Sequence, residues 1–198
     1  MTDEGSRVLQ VREVLMTELR SGSRRPGSPI NVKEMAQRLR VSATPVREAL
    51  ERLAGEGMVS VTGDRHGFAA IRLRPRELVG HHELLGLLVE HAARATGRAT
   101  IHAPAVEAEA RDPAAAVELV LGRILAGTAQ TVLLQETRRL GNVIASYRMF
   151  EPAVIAGWKD ELDRISAAET PNAIVAAVRA FTKTRRMRAA DIVEAAEQ

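Results

Sequence analysis

Between residues 31 and 53 the apolar side chains recur at helical spacing in two short runs. Val32, Met35, Ala36 and Leu39 fall at i, i+3, i+4 and i+7, one stripe of a short helix, and Asn31 with Glu34 three residues on has the spacing of a capping box. Arg40-Val41-Ser42 leaves Val41 as the apolar anchor of a turn. Ser42 or Thr44 then caps the next helix, and Pro45 is tolerated in its first turn. Val46, Ala49, Leu50 and Leu53 form the second stripe, which places Thr44, Arg47, Glu48 and Glu51 off the core side. After Gly57 the period becomes two: Val59 and Val61 precede Gly63-Asp64-Arg65-His66-Gly67, and Phe68 and Ala70 follow it, a hairpin with a cationic tip.

The second half contains no period-two segment. Helical stripes run through Leu84, Leu85, Leu88 and Ala92; Val117, Val120, Leu121 and Ile124; Leu133, Thr137, Leu140 and Ile144; Leu162 and Ile165; and Ile174, Val178 and Phe181. Asp112-Pro113 and Thr170-Pro171 each pair a capping residue with proline at the first helical position, and Ala103-Pro104 and Glu151-Pro152 are weaker forms of the same signal. About six helices in an antiparallel bundle are expected. The charged link from Arg72 to Glu77 contains Pro75, which disfavours helix in the residue before it, and divides the chain into domains 1–76 and 77–198.

Charge sharpens this division. Residues 1–76 hold 14 Lys and Arg against 9 Asp and Glu, net +5, and residues 77–198 hold 14 against 16, net −2. The positive charge sits where a polyanion would be read. Aromatic residues make up only 3% of the chain, too few for the stacking platforms of single-strand binders, so duplex DNA is the expected partner. Side chains near the start of a helix reach base edges when that helix lies in the major groove, and arginine grips guanine with two donors. Arg47 is therefore the first candidate for base readout. The hairpin tip suits phosphates or a neighbouring minor groove, and His66, with an ordinary pKa of ~6.5, would make its contact pH dependent.

With no cysteine, neither a disulfide nor a thiolate metal site is available. No apolar run approaches the ~18 residues of a membrane-spanning helix, and the start MTDEGSRV lacks the apolar core of a signal peptide, so a cytoplasmic protein with no membrane partner is expected. No nucleophile-elbow, phosphate-loop or zinc-hydrolase spacing joins the Ser, His and Asp residues, so no enzyme is expected.

The phrase RVSATPVREALERLAGEGMV followed by GDRHGF resembles the winged helix-turn-helix of the GntR family of bacterial transcription regulators. The resemblance extends back over VREVLMTELRSGSRRPGSPI, which is similar to the family's first helix and Pro-Gly turn, and covers about the first 75 residues. It implies a mostly α fold class: an N-terminal winged helix-turn-helix of three helices plus a β-hairpin wing, followed by the all-α antiparallel bundle. It also implies DNA contacts at Lys33, Ser42, Thr44, Arg47, His66 and Gly67, beside the tip residue Arg65. Many members carry arginine after the serine of the turn, where this chain has Ala43. One cationic contact is thus missing, which changes sequence preference more than docking.

The C-terminal half resembles the FCD subgroup of that family in size, helix order and phrases such as ILAGTAQTVLLQETRRL. The subgroup's bundle holds an effector and often a metal, bound by an acid and a histidine four apart and by two later histidines. Glu118 matches the acid, but Gly122 stands at the first histidine, and Lys159 and Phe181 lie near the places of the others. No metal or other cofactor is expected. His81, His82, His91 and His102 are read as surface or interface residues, since neighbours one residue apart point ~100° apart on a helix and do not grip one ion. Glu118, Tyr147 and Trp158 are provisional pocket residues, with ordinary core packing as the alternative for the aromatics. The basic run Arg179, Lys183, Arg185, Arg186 and Arg188 is read as solvated helix surface, with anion contact as the alternative.

These readings combine into a homodimeric, sequence-specific regulator, more a repressor than an activator, that binds a double-stranded operator and is modulated by a small organic effector in the bundle. One small winged domain buries too little surface for operator specificity, and two domains on adjacent half-sites solve this. The alternatives are a ligand-independent DNA-binding dimer and a helical adaptor whose winged domain binds protein.

Overall fold

The computed structural model describes residues 3–63, 67–95 and 112–198 and divides into two compact units, Met1–Arg72 and Leu73–Gln198. The division falls ahead of Pro75, because the α4 helix begins there and takes in much of the segment expected to be a link.

In the first unit, α1 (Asp3–Arg20) buries Val8, Val11, Leu15 and Leu19, a stripe at helical spacing, and packs on α3. β1 (Pro29–Ile30) leads into α2 (Val32–Leu39), then α3 (Ala43–Gly55), β2 (Val59–Thr62) and β3 (Gly67–Ala70). The strands form an antiparallel sheet in the order β1-β3-β2. β3 pairs with β2 from Val59 opposite Ala70 to Thr62 opposite Gly67, and with β1 at Pro29 opposite Ala69 and Ile30 opposite Phe68. Two residues are too few to show alternation, so β1 left no sign in the apolar pattern. Its proline, lacking a backbone donor, is tolerated because β1 is an edge strand.

Two ion-pair clusters brace this unit. Arg12 on α1 holds Glu56, just past the end of α3, through contacts of 2.6, 2.8 and 3.1 Å. Glu18 on α1 accepts from Arg24 at 3.0 Å and from Arg38 on α2.

The second unit is helical among its described residues: α4 (Pro75–Ala95), α5 (Pro113–Ala126), α6 (Thr131–Arg148), α7 (Glu151–Val154), α8 (Trp158–Ser166) and α9 (Pro171–Glu197). The expected caps operate at α5 and α9, where Asp112 Oδ1 accepts from Ala115 N at 2.8 Å and the Thr170 hydroxyl from Ala173 N at 3.2 Å. Ala103 and Pro104 lie outside the described residues. α4 and α9 run antiparallel, with Glu90 beside Arg179 and Glu83 beside Arg186. Between these pairs a Cβ on Gly86 would lie 2.6 Å from Thr182 Oγ1, so glycine sets the close approach of the two helices.

Three expectations are corrected here. The buried stripe of α4 is Leu78, His82, Leu85, Val89 and Ala92, whereas Leu84 is exposed. His82 is accordingly a core residue, not a surface one. Arg185 is fully buried rather than part of a solvated basic run. Its Nε and Nη2 donate to Glu151 Oε2 at 3.1 and 2.7 Å, its Nη1 donates to the Phe181 carbonyl at 3.1 Å and to Glu161, and its guanidinium lies 3.3 Å from the centroid of the Phe181 ring. A buried cation is tolerable only when paired and hydrogen-bonded on this scale.

Candidate nucleic-acid interface

The start of α2 is fixed by Asn31, whose Oδ1 accepts from Lys33 N at 3.0 Å and Glu34 N at 3.2 Å. The cap leaves the Lys33 side chain exposed in the first turn. α2 ends at Arg40, which adopts the left-handed region (φ 55°, ψ 43°), and Val41 N returns a 3.0 Å hydrogen bond to the Ala36 carbonyl. That bend brings the chain into α3 with Ser42 as the residue before the first turn. Of the two capping candidates Ser42 holds the position, yet its hydroxyl makes no capping hydrogen bond.

α3 buries Pro45, Val46, Ala49, Leu50 and Leu53, so Ala43, Thr44, Arg47 and Glu51 share the outward side, and all four are exposed. No acidic residue stands in its first turn. The unsatisfied N–H groups there and the positive end of the helix dipole therefore face outward together with Arg47. Neither Arg47 nor Lys33 has a carboxylate partner among the described residues, in contrast with Arg12, Arg24 and Arg38, which the core-bracing pairs engage. Glu48 is half-buried.

At the wing, Gly63 has φ +63°, which suits glycine, and a Cβ on Gly67 would sit 2.7 Å from Thr62 Oγ1 and 3.1 Å from the Thr62 carbonyl. A side chain at 67 would thus press on its strand partner Thr62. The candidates Arg65 and His66 lie outside the described residues.

The provisional pocket residues are dispersed in role. Glu118 is half-buried on α5, and its Oε1 lies 3.8 Å from where a Cβ on Gly141 of α6 would stand. Tyr147 is buried, and its hydroxyl accepts from Leu73 N at 2.7 Å. Trp158 is half-buried at the first position of α8. A groove of about 350 Å³ lies elsewhere, between α4 and α9. At the four positions compared with the subgroup's ligands, Gly122 and Lys159 are exposed and Phe181 is packed against Arg185. No group of three or more His, Asp or Glu able to hold a metal ion occurs among the described residues.

Sequence reasoning missed the buried polar group formed by His82, Arg148, Glu151 and Arg185. Arg185 lies four residues after Phe181 and His82 four after Leu78, so extending the apolar stripes through polar residues would have found both.

The profile of the bacterial regulatory proteins of the gntR family matches residues 7–68. The Nta operon transcriptional regulator of Aminobacter aminovorans is 46% identical over 77 residues, a match that covers 38% of this chain and 36% of that protein. The match therefore spans little more than a third of its relative. Among solved structures, E. coli McbR/YncC superposes with a TM-score of 0.70 at 18% identity, over 96% of this chain and 99% of that one. A candidate GntR transcriptional regulator from Rhodococcus sp. RHA1 superposes with a TM-score of 0.72 at 16% identity, over 93% and 97% of the two chains. At such identities these two share the fold with this chain, including its helical second unit. Capped α2, the turn at Arg40, the outward face of α3 and the short antiparallel sheet are the geometry of residues 7–68, and those residues form a GntR-family helix-turn-helix domain.

Proposed function

We propose that this chain is a sequence-specific DNA-binding transcription regulator, acting as a homodimeric repressor through its first unit. The observation that carries the reading is the outward side of α3, where Ser42, Ala43, Thr44 and Arg47 are exposed on the first two turns. In this reading α3 enters the major groove by its N-terminal half, with Arg47 on base edges, Ser42 and Thr44 on bases or phosphates, and Lys33 on the backbone. Arg65, His66 and Gly67 carry the wing to the flanking groove. Two copies on half-sites ~34 Å apart supply operator specificity.

The test is selection of full-length protein on a random duplex library, followed by affinity measurement across salt. Enrichment of a two-fold related site with steep salt dependence is expected. A folded protein with no duplex affinity would favour the adaptor role instead.

The second unit is read as an FCD-like domain without the metal histidines. Effector control and a ligand-independent dimer are the two readings of this unit, whose interior polar group is satisfied only in part: Arg185 is held by Glu151 and Glu161 and the Tyr147 hydroxyl accepts from Leu73 N, whereas Glu151 Oε1 and His82 Nε2 make no hydrogen bond among the described residues. A thermal-shift screen with small carboxylates and acyl thioesters separates the two, since a ligand bound to the folded state must raise the melting temperature.

A further inference from the structure

The outer side of α4 carries a second apolar stripe that its own bundle does not use. Opposite the buried residues, Glu77, Gly80, Leu84, Leu87, His91 and Arg94 recur at intervals of 3, 4, 3, 4 and 3, the heptad spacing of a helix seam, and all six are exposed or half-exposed. Leu84 is 48% and Leu87 62% exposed. Other large exposed apolar residues such as Leu9, Val61 and Val132 stand singly on α1, β2 and α6, whereas these two are adjacent on one face.

From this stripe we infer that α4 is the surface through which two copies of the chain pair, each α4 lying antiparallel on the other about a two-fold axis midway between Leu84 and Leu87. The inference rests on the two-copy reading above and gives it a surface. The stripe is self-complementary in that register alone. Reversed on itself, it sets Leu84 against Leu87 of the second copy, Gly80 against His91, and Glu77 against Arg94. Apolar meets apolar, the smallest residue meets a large one, and acid meets base, each contact occurring twice as an isologous interface demands.

The neighbouring relief fits the same occupant. Beside Leu87 the groove between α4 and α9 has Gly86, Leu87 and Thr182 along it and is rimmed by the pairs Glu90–Arg179 (3.0 Å) and Glu83–Arg186 (3.7 Å). Leu87 thus stands beside two ion pairs, the polar rim that surrounds an apolar contact in a protein interface. Arg94 also contacts Glu90 of its own helix at 3.2 Å, which leaves further guanidinium donors for a partner carboxylate.

Sedimentation of the full-length chain tests the surface, with circular dichroism to verify the fold of each variant. Wild type should be a dimer, and Leu87→Glu should weaken its dissociation constant by about 100-fold or more, because each copy would bury a carboxylate against Leu84 of the other. Arg94→Glu and Glu77→Arg should each weaken it by about tenfold, and the combined variant should recover most of that loss, because only the antiparallel register brings the two positions together. Recovery cannot come from within the helix start, where Glu77 Oε2 accepts from Arg74 N and the substitution only removes a contact. A wild-type monomer at ~100 µM would overturn this inference together with the two-copy reading. A wild-type dimer unaffected by Leu87→Glu would overturn the surface alone, and a combined variant as weak as the single ones would overturn the register.

Discussion

Arg185 and Glu151 are joined at 2.7 Å with both side chains almost wholly removed from solvent, and Glu161 shares the same guanidinium. α7, α8 and α9 are thus tied at one interior cation. Removing the cation strands two carboxylates in the interior, which costs far more than the intact cluster contributes. Arg185→Met should therefore lower unfolding stability by ~3–5 kcal/mol, read from the urea midpoint at neutral pH. Loss of less than ~1 kcal/mol would show that the cluster is solvated in solution.

Tyr147 and Leu73 make a second interior contact, between residues 74 apart in sequence. Tyr147→Phe keeps the packing of the ring and leaves the buried Leu73 N–H without its acceptor, a penalty of ~1–3 kcal/mol. Protection of the Leu73 amide against hydrogen exchange should fall in that variant and stay unchanged in surface controls.

His82 responds to acid. Its pKa is held well below 6.5, foremost by burial and then by the charges of Arg148, Arg185 and His81. Over the range below 6.5 the unfolded chain binds a proton that the folded chain refuses, so stability is retained at neutral pH and lost as pH falls. The slope from this group approaches ~1.4 kcal/mol per pH unit. His82→Gln should flatten the profile by that amount in urea titrations between neutral and mildly acidic pH. Parallel profiles for the two proteins would contradict the assignment. Glu151 Oε1 lies 3.9 Å from His82 Nε2, the one facing carboxylate oxygen described there.

Lys33→Ala should weaken binding to all duplexes alike and lower the slope of affinity against salt by ~1, as loss of one phosphate contact does. A change confined to particular sequences would move Lys33 from backbone positioning to base readout.

The first unit was legible because its signals are local. Asn31, Ser42, Pro45 and the glycines at 63 and 67 mark turns and helix starts through their own backbone chemistry, and apolar spacing at 46, 49, 50 and 53 sets which side of α3 is buried. The bundle was legible in class and helix starts but less so in detail. Leu84 and Leu85 are equally apolar neighbours, and only packing against other helices decides which turns inward. Arg185 and His82 lie on buried stripes, but their charge or polarity argues for solvent until the partners Glu151 and Glu161, far away in sequence, are known. β1 escaped notice because two residues carry no period. The residues read provisionally as a pocket were the least readable, since the burial of Tyr147 and the half-burial of Glu118 and Trp158 depend on helix packing that no spacing rule specifies.

Fluorescence anisotropy with Arg47→Ala on a selected operator duplex, beside a scrambled duplex, tests the central claim most directly. Affinity for the operator should fall by ~1–3 kcal/mol, with little change on the scrambled duplex, so that discrimination between them narrows. Unchanged discrimination would contradict the placement of Arg47 on base edges.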